Sequence, residues 1–297
     1  MKSISIFSHQ WLVILFEMIL TMGSLNLQAQ DYSFRIDKSG QGPDMILIPG
    51  LTCDGTVWDE TVEVFAKDYT CHVLTLPGFG TQPAIDIEDS FLPIMEKEIV
   101  EYIKANKLNK PIVVGHSLGG FLAISIASHH TDLLDKIVVV DALPFLAAIM
   151  NPMATEENMK SMAKSMKEMY KNTDEATYKA QQELVLKSMI ATEDRIPTAM
   201  KWSLTSDKKT VGQAMYDLYT IDLRDEVKNI KIPTLVLGAW IAYKDYGVTK
   251  EMTLANYQSQ YVALEGVEIR MSDIGKHFLM WDDPKFTIGS MKEFLAQ

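Results

Sequence analysis

Ser117 stands in Gly115-His116-Ser117-Leu118-Gly119-Gly120, behind Ile112-Val113-Val114 and ahead of an apolar, small-residue segment with helical spacing. A β-branched run, a Gly-x-Ser-x-Gly turn and then a helix is the setting in which a serine becomes a nucleophile, held at the apex of a sharp turn. Gly115 and Gly119 let strand and helix backbones pass close together. The helix N-terminus beneath the serine offers unpaired backbone N–H groups and the positive end of its dipole.

A serine hydroxyl reacts poorly near neutral pH unless a base takes its proton. The chain has six histidines, so elimination is practical. His9 lies in an N-terminal segment read below as a leader. His116 precedes Ser117 in the strand and turn, and should point away from the serine side chain. His72 begins a strand, at the wrong end of a parallel sheet. His129 and His130 close the helix after Ser117, where a cation suits the dipole. His277 remains, in Ser272-Asp273-Ile274-Gly275-Lys276-His277-Phe278 after the last strand, where such sheets build their sites. It is the expected base.

The elements that must position these two residues alternate. Residues 32–36 read as an exposed edge strand, 45–48 as a strand buried on both faces, 57–67 as a helix and 71–76 as the next strand. A helix over 91–105 leads to Pro111, the Ser117 strand and its helix, and a strand over 136–140 closed by Asp141. From 143 to 228 no strand is expected. Helical segments come instead, the clearest carrying Met159, Met162, Met166 and Met169 at spacings of three, four and three. That stripe reads first as an amphipathic face packing on its neighbours and second as an adaptable wall over a ligand. Strands over 232–238 and 267–271 resume the rhythm, with helices over 248–261 and 286–295. The expected fold is α/β, a mostly parallel sheet with helices on both faces and an inserted helical lid. The expected division is 1–29 leader, 30–143 first part of the core, 144–228 lid and 229–297 second part of the core.

Composition narrows the partners. With 47% hydrophobic and 23% charged residues over 297 positions the chain is an ordinary globular protein. A formal net charge of −11 argues against nucleic acid and anionic membrane surfaces. Residues 1–29 read as a signal peptide: Lys2, apolar runs over 11–16 and 18–20 interrupted by Glu17, and Leu27-Gln28-Ala29 for cleavage. The runs are too short and broken to span a bilayer comfortably. An exported protein without stable membrane insertion is expected. Cys53 and Cys71 fall at opposite ends of adjacent parallel strands, beyond the roughly 7 Å Cα reach of a disulfide. Two free thiols are expected. No H-E-x-x-H, paired-Cys spacing or G-x-G-x-x-G occurs, so no metal or nicotinamide cofactor is expected.

Together, Pro49-Gly50-Leu51, Leu76-Pro77-Gly78-Phe79-Gly80, Gly115–Gly120 and Gly275-Lys276-His277-Phe278 with Asp283-Pro284 resemble the α/β-hydrolase superfamily in kind and order. The likeness covers nearly all of residues 32–297. It implies a Ser–His–acid triad and an oxyanion hole made by the backbone N–H groups of Leu51 and Leu118. Pro49 replaces the family's usual histidine, and Thr75 its frequent acidic residue, which puts the subfamily in question. The family often carries its acid just past the strand after the lid, but Leu237-Gly238-Ala239-Trp240 holds no carboxylate. Asp245 comes a few residues late. Other members carry it where Asp141 stands here, and a buried aspartate there needs a partner such as the His277 ring N–H. Asp141 ranks ahead of Asp245, with Asp273, Asp282 and Asp283 behind.

The chemistry so implied is acyl transfer to water through an acyl-enzyme. A small or medium hydrophobic ester is the first substrate reading, with Phe79, Trp240 and Phe278 as an apolar pocket. A proline-type aminopeptidase is second and would need lid carboxylates such as Glu156, Glu157 or Glu183 for a free amine. A lactonase or cofactor-free perhydrolase shares the pattern. A ligand receptor on the same scaffold is the alternative outside catalysis.

Overall fold

Four short β-branched runs build the centre of the molecule because each is apolar on both faces. The computed structural model describes residues 32–149 and 151–297, so the expected leader and its cleavage point lie outside the described residues. The strands are β1 Arg35–Gly40, β2 Asp44–Ile48, β3 Thr70–Thr75, β4 Ile112–His116, β5 Ile137–Val140, β6 Thr234–Gly238 and β7 Glu268–Met271. They form one seven-stranded sheet in the order β1-β3-β2-β4-β5-β6-β7. All neighbours pair in parallel except β1, which runs antiparallel to β3. Every residue of β4, β5 and β6 is buried.

The chain leaves β2 for β3 on one side and returns to β4 on the other. The C-terminal ends of β2 and β4 therefore flank a crevice where strand order reverses, the usual binding position in such sheets. Ile48 pairs with Gly115 there.

The helices are α1 Asp59–Phe65, α2 Leu92–Ala105, α3 Leu118–His129, α4 Glu156–Asn172, α5 Glu175–Met189, α6 Ile196–Thr205, α7 Lys208–Thr220, α8 Lys250–Gln260, α9 Leu279–Asp282 and α10 Pro284–Leu295. In α3 every residue from Leu118 to Ser128 is buried, which explains why it is apolar all round.

Two expectations shift. The edge strand lies at Arg35–Gly40 and not at 32–36, because an exposed strand is held by backbone pairing to β3 and needs no apolar alternation. The first helix is shorter than 57–67: Asp54 accepts from Thr56 N (3.0 Å), caps a 3-10 turn over Gly55–Trp58, and α1 begins only at Asp59. The methionine stripe packs in part: Met159 and Met166 are half-buried, Met159 against the cluster around Phe145. Ala163 is the buried residue of α4, while Met162 and Met169 are 43% and 46% exposed.

Among the described residues no strand lies between β5 and β6, and α4 to α7 fill that interval. Side-chain caps start three of these helices: Thr155 with Asn158, Asp174 with Thr177, and Asp207 with Thr210. The insertion is fastened to the sheet domain by a buried carboxylate. Asp217 of α7 accepts from Phe91 N (2.7 Å) and Leu92 N (2.9 Å) at the start of α2. Burial raises the Asp217 pKa against the opposing effect of those N–H groups. Cys53 and Cys71 are free, buried and part of one apolar cluster. Burial pushes the Cys53 thiol up to about 12.

His129, ending α3, is clamped by Glu96 (2.8 Å) and Glu226 (2.6 Å), one carboxylate on each ring nitrogen. Desolvation opposes its protonation, and the two carboxylates outweigh it, so its pKa is raised above 6.5. A raised folded value means that the stabilisation is fully present below the unfolded pKa and fades as pH rises through the folded one. The melting temperature of His129→Gln should therefore fall furthest below wild type near pH 5.5 and converge on it above about pH 9. A gap that widens with pH would contradict the clamp.

Candidate active site

The end of β4 is built around missing Cβ atoms. A Cβ on Gly115 would stand 2.1 Å from Gly119 O, and one on Gly119 would stand 2.2 Å from Ile48 O. Only glycine lets β4, α3 and the end of β2 approach this closely. Between the two glycines Ser117 takes φ 53°, ψ −118°, a left-handed conformation unusual for serine. Thr52 (φ 63°) after β2 and Asp141 (φ 50°) after β5 share that region. Such residues cost about 1–3 kcal/mol each and persist where the surroundings over-determine them. These three stand at the same end of three strands.

Asp141 Oδ2 lies 2.6 Å from His277 Nδ1. A carboxylate only accepts, so Nδ1 carries the proton and Nε2 is left with its lone pair free. Asp141 Oδ1 accepts from Ala239 N (2.7 Å) and from the Tyr257 hydroxyl (2.6 Å). The aspartate is thus fixed by β6, by α8 and by the histidine together. Tyr257 is buried, and desolvation first and then Asp141 push its pKa well above 10, so it remains a donor. The sequence gives no sign of Tyr257: it is one aromatic residue in a polar helix.

His116 precedes Ser117 in the strand; its ring lies 4.6 Å from that of His277 and its Nε2 donates to His277 O (3.0 Å). Burial first and His277 second hold its pKa well below 6.5, so the ring is neutral. Its Nδ1 has no partner and faces Gly50, where a Cβ would stand 2.8 Å from it and 3.2 Å from Ser117 Cβ. The turn bearing Leu51 therefore lies against the serine, and Leu118 opens α3 directly after it.

The remaining candidates have other placements. Asp245 is exposed on the 3-10 turn Ile241–Tyr246. Asp273 pairs with Lys250 (2.7 Å). Asp283 accepts from Ser272 Oγ (2.7 Å) and caps α10. Asp282 accepts from Thr192 N (2.9 Å) in the insertion and from Lys276 N (3.0 Å) in the His277 loop. Thr75, where relatives often carry an acid, accepts from Gly55 N (2.9 Å). The apolar trio divides. Phe79 is wholly buried against Phe91, with ring centres 5.3 Å apart, so it offers no surface to a ligand. Phe278 is 4% exposed and stacks on Trp281, its edge towards His277. Trp240 keeps partial exposure. Among the described residues no three His, Cys, Asp or Glu side chains are grouped to hold a metal ion, and no helix is long and apolar enough to cross a membrane.

The sequence profile of the alpha/beta hydrolase fold family matches residues 43–284. The chain belongs to this family. A pimeloyl-acyl-carrier-protein methyl ester esterase of Vibrio atlanticus (strain LGP32) is 38% identical over 114 residues, 38% of this chain and 42% of the relative. The enzyme of the same name from Aeromonas hydrophila is 31% identical over 116 residues, 39% of this chain and 44% of the relative. The chain thus spans about two fifths of the length of these curated relatives. An enol-lactonase from Burkholderia xenovorans LB400 has the same fold, with a TM-score of 0.73 at 16% identity over 89% of this chain and 96% of that one. A thermophilic esterase from Thermogutta terrifontis gives 0.71 at 19% identity over 89% and 93%. At these identities the structural likeness concerns the alpha/beta hydrolase fold.

The glycine contacts give a direct test of the elbow. Gly119→Ala drives a Cβ into backbone and should destabilise the protein by about 3 kcal/mol or more in urea denaturation. Gly289→Ala, in α10 with nothing within 4 Å of the new atom, should instead stabilise it by about 0.5–1 kcal/mol. Equal effects would mean that the β4–α3 approach is not close.

Proposed function

We propose that the protein is a serine hydrolase that cleaves small or medium hydrophobic esters. Ser117 is its nucleophile, His277 its base and Asp141 the acid that orients the base. The observation that carries this reading is the 2.6 Å bond from His277 Nδ1 to Asp141, with Ser117 in a strained strand-to-helix turn whose N–H is bonded to Val140 O (2.9 Å), directly before Asp141. With Nδ1–H committed to the carboxylate, Nε2 takes the proton as Ser117 Oγ attacks the ester carbonyl. The N–H groups of Leu51 and Leu118 receive the negative charge that develops on the carbonyl oxygen. The same proton then leaves with the alcohol, and water, deprotonated by His277, releases the acid from Ser117. Ester hydrolysis also agrees with the activity named for the relatives from Vibrio and Aeromonas.

The placement of the insertion carboxylates disfavours an aminopeptidase. Glu156 accepts from Asp222 N (2.9 Å), while Glu157 and Glu183 are engaged by Lys160 and Lys187 on their own helices. All three are exposed, and none is left to bind a substrate amine. In the proposed enzyme residues 144–228 form the lid, and a leader over 1–29 directs export. The exported protein should then begin at Gln30, which N-terminal sequencing reads directly.

A fluorophosphonate probe should label the wild type at Ser117 and leave Ser117→Ala unlabelled; an unlabelled wild type would overturn the hydrolase reading. Nitrophenyl esters should turn over where aminoacyl nitroanilides do not, with lactones and peroxide-dependent turnover as the competing outcomes. Asp141→Asn should lower kcat by about 10⁴, and Asp245→Asn should leave it unchanged. The reverse pattern would reassign the acid. Tyr257→Phe removes one hydrogen bond to a charged group, worth about 1.5–3 kcal/mol. Its kcat should accordingly fall by about ten- to a hundredfold.

A further inference from the structure

Asp282, the last residue of α9, joins two segments distant in sequence. Its Oδ1 accepts from Ala191 N (3.0 Å) and Thr192 N (2.9 Å), in the connection between α5 and α6. Its Oδ2 accepts from Ala191 N (2.9 Å) and from Lys276 N (3.0 Å), the residue directly before His277. Other contacts run alongside. Lys276 Nζ donates to Lys187 O (2.9 Å), Phe278 N to Met189 O (3.4 Å) and Thr192 Oγ1 to Trp281 O (3.3 Å). The rings of Trp202 and Trp281 lie 5.5 Å apart. The residues on both sides of His277 are thus bonded to the last turn of α5 and the chain beyond it.

The rest of the His277 loop has separate supports. Ser272 Oγ, held by Asp283 (2.7 Å), accepts from Gly275 N (2.9 Å), and His116 donates to His277 O (3.0 Å). Asp283 therefore fixes the start of the loop, while Asp282 fixes its end to the insertion. A carboxylate has two oxygens and about four acceptor sites, which is what collecting N–H groups from two segments requires. An asparagine keeps one acceptor oxygen and turns a donor towards whichever segment it abandons.

We propose that Asp282 is a positioning residue that makes the α5–α6 connection and the His277 loop one mechanical unit, so that this connection, and not the insertion as a whole, sets the position of the base. This rests on Ser117 and His277 being nucleophile and base. The bond geometry demanded of a general base is narrow, and a displacement of about 1 Å costs roughly a hundredfold in rate.

The test compares Asp282→Asn with Asp217→Asn, which loosens the insertion at its other anchorage on α2. For each, kcat and KM on a nitrophenyl ester, the rate of fluorophosphonate labelling at Ser117 and the melting temperature are measured. Asp282→Asn should lower kcat and the labelling rate by about a hundredfold with KM little changed, and Asp282→Glu should recover part of the loss. Asp217→Asn should lower the melting temperature but keep kcat. Wild-type kcat and labelling in Asp282→Asn, or the same kcat loss in Asp217→Asn, would overturn the proposal. Should Asp282→Asn not fold, hydrogen exchange of the wild type replaces it. A phosphonate on Ser117 should slow exchange at 187–192 together with 274–278, and slowing confined to 274–278 would overturn the coupling. A wild type that takes no label overturns the reading of Ser117 itself, and this proposal with it.

Discussion

The contact on which the site depends is backbone against backbone. Gly119 lies so close to Ile48 O, and Gly115 to Gly119 O, that no side chain fits between them. This approach brings the ends of β2 and β4 to the first turn of α3, and it forces Ser117 into a conformation serine does not choose. Close packing makes the strain affordable: α3 is buried from Leu118 to Ser128 and cannot relax away. The reactive geometry is thus a consequence of how sheet and helix meet, and the side chains are added to a shape already set.

Around that shape, buried or half-buried carboxylates do much of the fixing. Asp141 gathers Ala239 N, the Tyr257 hydroxyl and the His277 ring. Asp217 gathers two N–H groups of α2, and Asp283 holds Ser272. In each case an acceptor-only group is matched to donors that loops and helix starts would otherwise leave unpaired. Asp217 belongs to no motif, because its task is defined by which backbone comes near, and that is a property of the folded chain.

The strands of the core, the helical character of the insertion and the turn at Ser117 were legible because each is written in local pattern: β-branched runs, caps and glycines. The family likewise shows in motifs spread along the chain. The bond between His277 and Asp141 joins residues 136 apart, and the sequence could only rank Asp141 above Asp245. His116 is passed over as a base because it precedes the serine, yet its ring packs against that of His277. Tyr257 had no local signature. Phe79 was read as a pocket wall from its position near a loop, yet its ring fills the space against Phe91. The edge strand misled because it lies at the surface, where periodicity is not enforced by burial.

Helix α4 spans Glu156–Asn172 and buries a single side chain, Ala163. Substitutions at exposed positions away from special features usually stay within about 0.5 kcal/mol, so its solvent-facing positions are free to vary, while half-buried Met159, Met166 and Tyr170 are held by what they pack on. Sheet and insertion therefore differ in how much change they tolerate. The end of β4 admits almost none, whereas the exposed face of α4 can accumulate new sequence while the framework beneath it stays fixed. In a lineage of such proteins, divergence would collect in α4 long before it reached the sheet.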